Sequence, residues 1–151
     1  MRKTIITALI LLFAAAAALS ITSAVYAEEN AEVVAENWNG MRWTLISTDM
    51  VEYDKKAGAL FFAVLIEPVT PEGQKELDDT CGVRNVVSAV HVIGMDMQKW
   101  TWSTLGLSVH YKKSSGELGE KQSGPVDWGK VPSGSVIEKC LRCAMKYAKP
   151  I

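Results

Sequence analysis

Ala59-Leu60-Phe61-Phe62-Ala63-Val64-Leu65-Ile66 is the stretch that decides the fold. Its eight apolar residues are bounded by turn formers, and that length suits a central strand better than a helix. On one side stands Asp54-Lys55-Lys56-Ala57-Gly58, a tight turn in which Gly58 is free to take positive φ. On the other, Pro68 and Pro71 stop the strand.

Working outward, Arg42 to Thr48 reads as an aromatic and β-branched strand, and Asp49-Met50 turns it into a short strand at Val51-Glu52-Tyr53. Val86 to Ile93 forms a further strand. Trp100 to His110 supplies one or two more, interrupted at Gly106. The hydrophilic, Gly-rich segment from Lys112 to Val126 reads as an exposed hairpin tip and return. About six strands result.

Two helices accompany them. Thr70 as N-cap, Pro71 at the first helical position and Glu72 in the first turn open a short helix to about Asp79. Gly73 weakens it by up to ~1 kcal/mol. The second begins at a capping box of Ser135 and Glu138 and runs to about Lys146. Lys139, Arg142 and Lys146 suit its negative C-terminal end. Val136, Ile137, Cys140, Leu141, Cys143, Ala144 and Tyr147 share one broad face, with Glu138, Lys139, Arg142, Lys146 and Lys149 opposite. A helix with one apolar face must lie on something, and the strands supply a sheet. The class is α+β.

The N-terminus reads as an export signal. Arg2 and Lys3 precede an apolar run from Ile5 to Ala18, and Val25 and Ala27 fill the small-residue positions of a peptidase site. Residues 1–27 are thus expected to be a signal peptide, 28–41 a flexible arm, and 42–151 the folded domain. The apolar core is too short to span a membrane comfortably. No cysteine lies near the cleavage site, so neither lipid attachment nor a membrane anchor is expected to remain. Cleavage removes two basic residues and no acidic one, taking the formal charge from −1 to −3 and leaving 124 of 151 residues. A negative chain of that size suits a single core and offers no attraction to nucleic acid or an anionic membrane. Internal repeats, low-complexity tracts and Gly/Ser linkers are absent from the sequence. The expected location is the periplasm or the extracellular space.

An exported chain with three cysteines, Cys81, Cys140 and Cys143, leaves one thiol over. A link from Cys81 to either helical cysteine closes a loop of about sixty residues, worth ~4 kcal/mol in the chain-entropy model. The helical wheel places Cys140 near the middle of the apolar face and Cys143 near its edge. Cys140-Leu141-Arg142-Cys143 also has the spacing of a thiol oxidoreductase. Redox pairs, however, use a cysteine at a helix N-terminus, and Cys140 lies about five residues past the cap. A zinc site would have to draw on His91 and His110, which read more simply as packing or surface residues.

The order of several motifs resembles the surface-adhesin protein E family. They are Trp43-Thr44-Leu45, Tyr53-Asp54 before a Lys/Gly turn, the apolar strand 59–66, Cys81, and Trp128 to Glu138 (WGKVPSGSVIE) followed by a late cysteine. The resemblance covers 42 to about 145. It implies a bent antiparallel sheet with the C-terminal helix packed on one face and tethered by a disulfide. The family's late helical cysteine favours Cys81–Cys143, with Cys140 as the alternative.

Of five tryptophans, Trp38, Trp43, Trp100, Trp102 and Trp128, the pair Trp100 and Trp102 is expected on one face of a strand, since side chains alternate. They form the candidate binding surface, unless they fill the core. Neither GxSxG nor a Gly-rich phosphate loop occurs, and no cofactor or metal is called for. The leading expectation is an exported, non-enzymatic domain that binds a protein partner through its sheet face or loop 112–126. The alternatives are a thiol-redox protein using Cys140 and Cys143, and a small-ligand carrier with a cavity between sheet and helix.

Overall fold

The computed structural model describes residues 30–126 and 128–151. The expected signal peptide lies outside the described residues. Nine strands form one sheet: β1 (Ala31–Trp38), β2 (Met41–Ile46), β3 (Glu52–Asp54), β4 (Ala59–Pro68), β5 (Val86–Asp96), β6 (Thr101–Lys112), β7 (Leu118–Ser123), β8 (Gly129–Lys130) and β9 (Lys149–Pro150). Helix α1 (Pro71–Cys81) joins β4 to β5, and α2 (Val136–Met145) joins β8 to β9. The main path runs β1-β2-β4-β5-β6-β7, and every neighbouring pair on it is antiparallel.

The extra strands are short pieces that share positions in this path. β2 and β3 follow one another along the same edge of β4, separated by a 3-10 turn at Thr48–Met50. β7 and β8 likewise share the outer edge of β6, and β9 pairs in parallel with β3. Six positions thus hold nine strands. The structure confirms the α+β class.

The eight-residue apolar run is explained by burial on both faces of β4. Leu60, Phe62, Val64 and Ile66 belong to the larger core beneath the helices, which also takes Leu45, Ile93, Met95, Val109 and Leu141. Phe61 and Ala63 belong to a smaller cluster on the other face, with Ile46, Val90, Val92 and Leu105. Alternation along a strand buried on both sides leaves no polar position.

Residues 31–38, expected within an arm, form β1. The reason is Asn39-Gly40, whose φ values of 53° and 79° give a hairpin turn with both central residues left-handed. That turn suits the twist of the flanking strands. Gly40 then receives α1: its carbonyl accepts from Val69 N (2.8 Å) and Thr70 N (3.2 Å).

Thr70 caps α1 as expected, its hydroxyl accepting from Gly73 N at 3.0 Å. The helix runs on to Cys81 and ends at Gly82, in the left-handed conformation. Gly73 is a contact rather than a weakness. A Cβ built there would lie 1.9 Å from Gly40 O. In α2, Ser135 Oγ accepts from Glu138 N at 3.2 Å, but Glu138 returns its bond to Gly134 N (2.9 Å) instead of to the cap residue. The buried residues of α2 are those of the expected apolar face.

Candidate functional site

The expected disulfide is overturned. Cys81, Cys140 and Cys143 are all free and buried, with no pair at bonding distance. The cause is the order of the sheet. Cys81 ends α1 on the side of β7, where its carbonyl accepts from Lys121 Nζ at 2.9 Å. Cys143 lies beside Glu32 of β1, at the opposite edge. No disulfide therefore tethers α2 to the sheet.

Burial pushes the Cys140 thiol up to about 12, with Cys143 adding to the effect. It pushes Cys143 up to about 11, aided by the Glu32 carboxylate. Burial raises Cys81 as well. Reactive thiols are exposed and electropositively flanked, with lowered pKa values. These three are the reverse, so the Cys-x-x-Cys spacing reflects two inward positions of an amphipathic helix. The space between sheet and helices is filled by Leu77, Cys140, Leu141 and Ala144, where the carrier alternative needs a cavity.

The two histidines sit on different faces. Ser88, Val90 and Val92 alternate with Ala89, His91 and Ile93, which puts His91 on the helix side. Burial takes its imidazole down to about 4, so it is neutral at pH 7. His110, expected at a solvated edge, has its Nδ1 buried without a hydrogen-bond partner among the described residues. Among the described residues no group of three or more His, Cys, Asp or Glu is placed to hold a metal ion.

Trp100 and Trp102 do not share a strand face. β6 starts at Thr101, and Trp100 stands before it in the left-handed conformation, with φ of 56°. Alternation does not carry across such a residue. Trp102 packs against the helix-side core, as do Trp38 and Trp43. Lys139 of α2 lies over the Trp38 ring, 4.8 Å from its centroid. Trp100 is 37% exposed.

A second exposed tryptophan lies near the same end of β6. Between β7 and β8 the chain leaves regular pairing at Gly124-Pro125, where proline has no N–H to donate. It stays on the β6 edge because Val126 N donates to Thr104 O at 2.9 Å and Ser103 Oγ donates to Val126 O. β8 then pairs with Thr101 and Trp102, and Val131 N donates to Trp100 O at 3.1 Å. These bonds set Val126 (62% exposed) and Trp128 (47% exposed) along the first residues of β6, the strand that Trp100 precedes. No local pattern in the chain records this stretch, because Trp128 reaches the β6 edge, beside Ser103, only through the β6–β8 pairing. The available signal was Trp128 itself, an indole in a Gly- and Pro-rich segment where a core side chain has no regular element to sit on.

The chain matches no family model, no curated protein and no solved structure. Among the described residues, no helix is long and apolar enough to cross a membrane.

Proposed function

We propose that this chain is an exported, non-enzymatic binding domain that recognises a protein partner through Trp100, Val126 and Trp128. The observation that carries the reading is that two part-exposed indoles and an exposed valine are all held at the same end of β6 by its backbone pairing. Exposed apolar clusters mark interaction sites, and tryptophan dominates the binding energy of many interfaces. Export rests on the leader-like residues 1–27, and either the periplasm or the extracellular space suits it. The resemblance to surface-adhesin protein E belongs to the same proposal. It is supported by an antiparallel sheet that carries the C-terminal helix on one face.

The test is site-specific photo-crosslinking in the producing cells, with a benzophenone amino acid at position 128 or, as control, at exposed position 75 on α1. A discrete adduct is expected at 128 and not at 75, and Trp100→Ala should weaken it. The same adducts at both positions would overturn the proposal.

A further inference from the structure

At the far end of β6 from the tryptophans, the sheet opens. β4 and β5 pair from Ala59↔Asp96 to Ile66↔Ala89 and then part, although β4 continues to Pro68 and β5 begins at Val86. Pairing of β5 with β6 shifts register between Val86 and Ser88, which leaves Val87 out of that ladder and 42% exposed. Over this parting lies a cleft of about 710 Å³, bounded by the ends of β4 and β5, the start of α1 and the β6–β7 hairpin. Its size falls in the range of small-molecule sites.

The lining divides by chemistry. Val69 (40% exposed) and Val87 form apolar wall, and Lys112 and Lys113 stand on the rim of the hairpin. Arg42 and Glu67 face the cleft from the side. Arg42 is already engaged, with Nε 3.2 Å from Glu36 and a guanidinium nitrogen 3.9 Å from Glu67. Lys112 and Lys113 have no ion-pair partner among the described residues. Two uncompensated ammonium groups beside exposed valines are a local reversal of charge on a chain whose formal net charge is −1.

We infer that this cleft binds a small amphipathic carboxylate, its anionic group at the rim that Lys112 and Lys113 line and its short aliphatic body against Val69 and Val87. An anion at the rim is attracted by two ammonium groups that have no other ion-pair partner among the described residues, and the aliphatic body removes apolar wall from water. The inference is independent of the tryptophan patch, which lies at the other end of the same strand.

Octanoate and octanol share a body and differ in charge, so they separate the two contributions. Titrated into the ¹⁵N-labelled full chain at low salt, octanoate should shift the amides of Val69, Val87 and Lys113 saturably. Octanol should bind at least about tenfold more weakly. Lys112→Gln with Lys113→Gln should weaken octanoate about tenfold, in keeping with exposed ion pairs worth under ~1 kcal/mol each. Its amide spectrum elsewhere should match the parent, which establishes folding. Equal shifts by both probes, octanoate shifts centred away from the cleft, or undiminished binding by a folded double variant would each sink the inference.

Discussion

Helices α1 and α2 begin alike, each with a hydroxyl at the N-cap accepting from the third residue on. Both lie on the same face of the sheet, and there the similarity ends. α1 buries only Gly73, Leu77 and Cys81, whereas α2 buries Val136, Ile137, Cys140, Leu141, Cys143 and Ala144. α1 is positioned by backbone fit at Gly40 and by Asp78, which accepts from Asn85 N (3.0 Å), Val86 N (2.9 Å) and Gln74 Nε2 (2.8 Å). α2 is positioned by apolar area, with one polar latch where Glu32 of β1 accepts from Tyr147 and Lys146. A helix can be seated by shape and hydrogen bonds or by a greasy face, and only the second leaves a periodic trace in sequence.

The comparison breaks most readily at Leu141. It is fully buried, so Leu141→Ala should cost about 3–4 kcal/mol through lost burial and the cavity left behind. Urea denaturation should report this as a fall in midpoint. A loss under about 1 kcal/mol would mean that apolar area does not hold α2.

Next in size is Gly73→Ala, a change that favours an isolated helix by up to ~1 kcal/mol. Here it should destabilise by about 2–3 kcal/mol, because the added methyl meets the Gly40 carbonyl rather than a yielding side chain. Stabilisation in the same assay would show that α1 is not seated by close backbone approach.

Asp78 sharpens the contrast through pH. Burial raises its carboxyl, but the hydrogen bonds from Val86, Asn85 and Gln74 and the charge of Arg84 outweigh this and hold it below the ordinary 3.8. A group whose folded pKa is depressed stabilises above its unfolded pKa, and that contribution is lost as pH falls through the folded value. Asp78→Asn should therefore cost about 1–2 kcal/mol at pH 7. The gap from the parent should narrow below about pH 3.8, followed by thermal unfolding across pH. A pH-independent gap would assign Asp78 a packing role alone.

The smallest effect tests what the helices share. Thr70→Ala and Ser135→Ala should each cost about 1 kcal/mol, since each cap satisfies one free N–H. Thr70→Ala should be the worse of the two, because Thr70 also sits against the Gly40 turn.

What could be read from the chain follows the same division. ALFFAVLI announced a strand with no solvent face, and α2 announced its apolar stripe and cap. β1 carries no strand pattern of its own because Glu32, Glu36 and Asn37 break its alternation, and only Asn39-Gly40 signals the hairpin. The helix face of Cys140 and Cys143 was legible, and their distance from Cys81 was not. Trp102 followed the ordinary rule for a strand beside a core. Trp100 escaped it through one left-handed residue. Trp128 gained its significance only when β8 paired with β6.

By itself, the sequence determined the α+β class, the central place of 59–66, both helix starts and the inward face of α2. These rest on periodicity, caps and turn residues, which act over a few positions. Tertiary structure alone decided that the cysteines stay apart, that Trp128 reaches the β6 edge and that β4 and β5 part beside Lys112 and Lys113. Each of these depends on which strands become neighbours and where their pairing stops. That choice is made by packing between residues far apart in the chain, and no local pattern records it.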